Sequence, residues 1–360
     1  MTSHPPRIAE RPAPASHPPG QTAPPGPDSR PRRNRGRAVG LVVACCLLLA
    51  VVVLSLAVGA RSLPLTEVWH GLVDEDSPAY AIVRQMRLPR TLLGLLVGAA
   101  LGVAGALMQS VTRNPVADPG LLGINSGAAA AVVTAIALFG VTSTRSYIWF
   151  AFVGAVLVTA LVWTVSGGRA ATPVRIVLAG AALNAAMYAY VTAVEVLDTA
   201  TLDRVRFWTV GSLAAARPQT VTAIVAFVVA GLVLALALAR PLNALALGDD
   251  SARSLGAHPI RIRIASIVAI TLLCGAATAA CGPISFIGLL VPHLARVWTG
   301  PDLRWSLPYC ALLGPITLLG ADIVGRVAAR PAEIQVGVAT AVLGGAFFIW
   351  AVRRLRWATT

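Results

Sequence analysis

From Ala38 to Ala60 the chain runs for about 23 residues without one charged side chain, enough for a helix to cross the ~30 Å hydrocarbon core of a bilayer. Inside hydrocarbon every backbone N–H and C=O needs a partner within the protein, and an α-helix supplies these bonds within a single segment. Nine further apolar stretches of this kind follow. The expected spans are 38–60, 91–111, 121–140, 147–166, 174–195, 219–239, 263–281, 284–299, 306–326 and 335–352. The eighth is short and carries a proline. The chain is therefore read as an all-α polytopic membrane protein with about ten transmembrane helices.

Composition agrees with this reading. Hydrophobic residues make up 56% and charged residues 12%, about half the charge fraction of a soluble domain. A net charge of +14 can signal nucleic-acid binding, but here the arginines are interrupted by long apolar runs and form no continuous basic face. The five cysteines (Cys45, Cys46, Cys274, Cys281, Cys310) all fall in apolar segments. Their spacing fits neither a metal site nor a disulfide framework, and they read as small packing residues.

Residues 1–37 hold ten prolines and seven arginines with almost no large apolar side chain. Such a segment cannot bury enough surface to fold, so it is expected to be a disordered cytoplasmic tail. The cluster RPRRNRGR ahead of an apolar run resembles the start of a signal peptide. The run is too long for one, however, and no clean cleavage site follows Ala60. A membrane domain is expected over 38–357.

Arginine distribution sets the orientation. With the N-terminus inside, nineteen arginines face six acids on the inner side, while ten face nine on the outer side. Both termini are then cytoplasmic.

On that topology the polar stretch TRNPVADPG (112–120) lies at the inner interface. Pro115 cannot continue a helix, and Asp118-Pro119 suits the start of the next one. A plain helix–helix turn and a functional hinge both fit. A second inner segment, 240–262, breaks at Gly248 and again at Gly256. It reads as short helices lying on the headgroups or as a docking surface for a soluble partner. Outside, 61–90 ends in the cations Arg84, Arg87 and Arg90, and 196–218 holds a short interfacial helix anchored by Trp208. Those cations either sit at the interface or receive an acidic partner.

No GxxxxGK[ST] phosphate loop occurs, so the chain does not itself cradle ATP. His293, Asp322 and Glu195 are the main ionisable groups near the bilayer region. That scarcity weighs against an ion-coupled secondary transporter, and no nucleophile, base or metal cluster suggests an intramembrane enzyme. His293, directly after Pro292, is expected to help satisfy backbone opened by the proline. The cores are rich in small residues, as in GAALGVAGAL (98–107), which allow close helix packing.

Taken together, RLPRTLLGLLVGAALGVAGALMQSVTRNPVADPGLLGINSGA (87–128), LNALALGDDSARSLG (242–256), GPISFIGLLVPHLARVWTGPD (282–302), LLGADIVGR (318–326) and EIQVGVATAVLGGAFFIW (333–350) closely resemble FecCD-type permeases. These are membrane subunits of ABC importers for iron-siderophores, haem and cobalamin. The resemblance implies a FecCD/BtuC-like ABC importer permease fold that dimerises around a translocation path. It also implies two cytoplasmic ATPases, which use ATP and Mg, and an extracytoplasmic substrate-binding protein. The chain itself is expected to bind no cofactor or metal and to have no catalytic residue.

Residue by residue, Leu245, Gly248, Ala252, Leu255 and Gly256 match the family's ATPase-coupling segment. Arg87, Arg90 and Arg326 match arginines that dock the binding protein, and Asn114 and Val116 match the cytoplasmic gate. Two departures stand out: Val116 where leucine is usual, and Glu333-Ile334-Gln335 for Glu-Leu-Pro. The cargo implied is an iron(III)-siderophore, with cobalamin or haem as alternatives, carried across the cytoplasmic membrane.

Overall fold

The computed structural model describes residues 29–357, apart from 60, 142–143 and 169–170. Thirteen helices are present among them: α1 (Ser29–Ala57), α2 (Leu65–Val73), α3 (Leu88–Thr112), α4 (Ile124–Phe139), α5 (Thr144–Val165), α6 (Pro173–Leu197), α7 (Thr199–Thr209), α8 (Pro218–Ala246), α9 (Asp249–Ser254), α10 (Pro259–Cys281), α11 (Ile287–Thr299), α12 (Leu303–Ala328) and α13 (Val336–Trp357). A π-helical turn, Ala81–Arg87, runs directly into α3, and a 3₁₀ turn, Pro119–Leu122, precedes α4.

Seven helical stretches are long and apolar enough to cross a membrane, those of α1, α3, α5, α6, α8, α10 and α12. The other three expected spans correspond to α4, α11 and α13. The shortest of these is α11, whose 13 residues cover only about 20 Å. Gly282 (φ 75°) and Phe286 (φ 69°) take left-handed conformations that delay the helix start to Ile287.

The expected tail boundary also moves. Helix α1 already begins at Ser29, so residues 29–37 extend the first span, while 1–28 lie outside the described residues. Arg37 fixes this extension. Its guanidinium donates to the Thr299 carbonyl and lies 5.9 Å from the Trp305 ring centre, and Tyr309 donates to its carbonyl at 2.7 Å.

Helix α3 is the centre of the bundle, packed against α12, α10, α11 and α8. In its most apolar window 78% of residues are buried, against 22% for α1 and α6; these two therefore lie at the periphery. Small residues make the close approach possible, as their abundance in the sequence implied. A Cβ on Gly105 would fall 2.0 Å from the Gly288 carbonyl oxygen of α11, and one on Gly98 would fall 2.5 Å from Pro315 of α12. The helix α7 expected around Trp208 is present, but Trp208 packs against the core, with Gly282 closing on its carbonyl.

Candidate functional site

At one end of the bundle the polar stretch after α3 folds into a compact hinge. Arg113 ends the helix in the left-handed region (φ 51°). The Asn114 side chain accepts from Val116 N–H at 3.0 Å, and Asp118 accepts from Gly120 N–H at 2.8 Å. Both are local turns in which a short polar side chain replaces a backbone partner. The hinge is then tied into the bundle: Asn184 of α6 donates to the Gly120 carbonyl at 3.1 Å and accepts from Ser126 at 2.5 Å.

Asn114 is half-buried, whereas Val116 is exposed and lines a groove of about 350 Å³ against Phe286, Leu290, His293 and Phe347. His293 meets Phe347 edge-on, 5.3 Å between ring centres. Its ring makes no hydrogen bond among the described residues. The expectation that it repairs the backbone at Pro292 is therefore replaced by aromatic packing beside the hinge.

Helix α9 is held against this hinge. Arg113 donates to the Leu245 carbonyl at 2.7 Å and to Asp249 at 2.8 Å, and Arg263 of α10 closes on Asp249 at 2.9 Å. The five residues expected to couple to an ATPase divide by role. Leu245 and Ala252 are buried and seat the short helix. Gly248 (φ 111°) and Gly256 (φ 77°) reverse the chain on either side, in backbone regions that only glycine adopts without strain. Leu255 projects outward at 66% exposure, and so does Leu247 at 67%. Leu247, which caps the end of α8, is not among the five residues that the resemblance implies; a leucine directly before a helix-breaking glycine is the signal that marks it.

Nearby, Asp302 caps α12 and accepts from Asn243 at 2.7 Å, while Asn243 accepts from Leu303 N–H at 3.0 Å. Burial pulls the Asp302 carboxyl upward, but the hydrogen bonds from Arg304 and Asn243 and the Arg304 charge outweigh it and hold the group below the ordinary carboxylate value.

At the opposite end lie the three arginines expected to meet a binding protein. Arg87 donates to the carbonyls of Leu56 (2.6 Å), Ala57 (2.8 Å) and Arg61. Arg326 donates to the carbonyls of Ser55 (3.0 Å) and Val58 (2.9 Å) and pairs with Asp322 at 2.9 Å. Both are buried. The last turn of any helix leaves four carbonyls without intrahelical donors, and these two guanidinium groups supply those of Ser55, Leu56 and Ala57 at the end of α1. Arg90 bridges Asp322 (2.8 Å) and Glu333 (2.7 Å). The placement gives Arg87 and Arg326 an internal task in place of free outward charge. Arg61, Arg84 and Arg330 are among the exposed cations at this end. A recess of about 240 Å³ beside Arg61 is walled by Arg61, Met86, Arg87, Arg90, Arg326 and Glu333.

The polar contacts thus gather Arg113, Asp249 and Asp302 at one end and Arg87, Arg90 and Arg326 at the other.

The family model described as the FecCD transport family matches residues 47–354. The ferric enterobactin transport system permease protein FepD of Escherichia coli (strain K12) is 45% identical over 321 residues, 88% of this chain and 96% of that protein. The hemin transport system permease protein HmuU of Yersinia pestis is 38% identical, over 89% of this chain and 98% of that one. A solved structure, an inward-facing conformation of a metal-chelate type ABC transporter, superposes with a TM-score of 0.78 at 29% identity, covering 87% of this chain and 98% of its own.

Proposed function

The chain belongs to the FecCD transport family, and from that premise we propose that it is the permease subunit of an ABC importer that moves an iron(III)-siderophore across the cytoplasmic membrane. The cargo reading is supported by the 45% identity to FepD, a ferric enterobactin permease. In this reading the permease pairs with a second permease subunit. Two cytoplasmic ATPases, which use ATP and Mg, dock on α9, and an extracytoplasmic binding protein docks on the opposite end. Both termini are cytoplasmic.

The observation that carries the mechanism is the contact of Arg113 with both Leu245 and Asp249. Arg113 ends α3 and starts the hinge that bears Asn114 and Val116. A displacement of α9 by the ATPases is transmitted through this contact to the hinge, which acts as the cytoplasmic gate. Leu247 and Leu255 are the apolar contacts offered to the ATPase, with Gly248 and Gly256 as the turns that present them. On the outer side the binding protein meets the recess bordered by Arg61 and Arg90, while Arg87 and Arg326 hold its floor. Specificity for the siderophore resides mainly in the binding protein, and the permease supplies a weakly contacting apolar path.

Haem is the second reading, supported by the likeness to HmuU; cobalamin belongs to the same class of cargo. The test is uptake of radiolabelled ferric siderophore, haem and cobalamin in cells lacking the gene, with and without complementation. Loss and recovery confined to the ferric siderophore is expected. Loss of haem or cobalamin uptake alone overturns the cargo, and siderophore uptake that persists after ATPase inactivation overturns the ABC reading.

A further inference from the structure

Helices α5 and α10 pack side by side and leave a groove of about 340 Å³ between them. Phe152, Val156, Thr159 and Trp163 of α5 form one wall, and Ile264 and Val268 of α10 contribute to the other. Both helices are long and apolar enough to cross a membrane, so the groove lies in the membrane-spanning part of the bundle.

Two features distinguish it from a gap filled by any lipid tail. The first is a polar atom without a partner. The Thr159 hydroxyl is buried and makes no hydrogen bond, although the residue is only 2% exposed. Thr271, on the facing wall, instead returns its hydroxyl to the Ile267 carbonyl at 2.8 Å, as threonines in membrane helices commonly do. An unpaired buried hydroxyl carries a desolvation cost, and a pure hydrocarbon occupant leaves it unpaired.

The second feature is charge. At 100° per residue, Arg261, Ile264, Val268 and Leu272 lie along one face of α10. Arg261 is therefore in line with the groove, one turn toward the helix start. It is exposed, and its side chain forms no ion pair or hydrogen bond among the described residues. Trp163 lies at the same end of the antiparallel pair, as interfacial aromatic residues do. Arg263, two residues further on, pairs with Asp249 and so marks this as the hinge end of the bundle.

We infer that this groove binds one acyl chain of an anionic glycerophospholipid from the leaflet at the hinge end. Its phosphate meets Arg261, and an ester carbonyl accepts from Thr159. A basic residue at the mouth of a crevice between membrane helices attracts an anionic headgroup, the groove takes the chain, and the ester satisfies the hydroxyl. The bound lipid rests on α10 beside the Arg263–Asp249 contact that holds α9.

The test uses the complete transporter in nanodiscs and reads the Trp163-dependent fluorescence, obtained by subtracting the signal of a Trp163→Phe complex. Phosphatidylglycerol and phosphatidylcholine, equally brominated on the acyl chains, are compared at the same mole fraction. Quenching at least twofold stronger with brominated phosphatidylglycerol is expected. Arg261→Ala should make the two lipids equal, and Ala160→Phe, which fills the groove, should reduce quenching by both. Equal quenching in the unaltered protein overturns the proposal, as does a preference that survives Arg261→Ala or quenching unaffected by Ala160→Phe. A Trp163 signal shielded from both lipids by contact with a second permease copy also overturns it and makes the groove a protein interface.

Discussion

Arg113 and Asp249 stand 136 positions apart in the chain, and their side chains meet at 2.8 Å, joining the end of one membrane helix to the start of a short helix outside the core. The same arginine holds the Leu245 carbonyl, so one side chain spans both ends of the Gly248 break. Asp249 has a second cation in Arg263, which makes the two partners unequal.

Replacing Arg113 by alanine leaves Asp249 paired and removes only a half-exposed contact worth up to about 1 kcal/mol. The complex should still assemble, while transport per ATP hydrolysed falls several-fold. Asp249→Ala should be more damaging, since it strands two arginines. Uptake and ATPase rates in proteoliposomes check this, and unchanged coupling in Arg113→Ala would remove the transmission role.

Arg326→Ala should destabilise the chain by about 2 kcal/mol, because the carbonyls of Ser55 and Val58 lose their donor and a buried acceptor left unpaired carries a desolvation cost. Asp322 keeps Arg90 as its partner. Arg326→Lys should recover little, because one ammonium cannot reproduce the forked contacts. Arg61→Ala, at an exposed position, should leave the thermal midpoint of the solubilised protein unchanged. Its effect should be confined to affinity for the binding protein.

Leu247→Asp with Leu255→Asp should abolish co-purification of the ATPase while the permease keeps its thermal midpoint, since both side chains are mostly exposed. Ala252→Leu should lower both, because Ala252 is fully buried on the inner face of α9. Retention of the ATPase by the double variant would sink the docking assignment.

The Asp302 carboxyl is held below its ordinary value in the folded protein. Such a group contributes stability that is present above its unfolded pKa, roughly 4, and is lost as pH falls through the folded value. The difference in thermal midpoint between the unaltered chain and Asp302→Asn should therefore be full at neutral pH and shrink on acidification below about pH 4. A difference independent of pH would show that the capping geometry, not the charge, holds α12.

Much of the architecture was legible before any coordinates. Apolar runs located the ten helices, because transfer into hydrocarbon depends on the local average of side chains. The sorting of arginines between ends, and the breaks at Pro115, Gly248 and Gly256, follow from equally local rules of charge placement and backbone geometry. The shortness of α11 was legible too, but its late start was not, since that start is set by two residues with positive φ, one of them the non-glycine Phe286.

What an individual polar side chain does was decided only by the tertiary structure. In sequence Arg87 and Arg326 resemble outward-facing charges; in the fold they cap carbonyls of α1 that lie about 30 and 270 residues away. His293 meets an aromatic ring from α13 instead of the backbone beside its own proline, and Leu247 gains its exposure from the way α9 turns back on the bundle. Hydropathy along a chain reports which medium a segment prefers. Whether a guanidinium is free or occupied depends on the unpaired carbonyls of a neighbouring helix, and these come into reach only when the helices have packed.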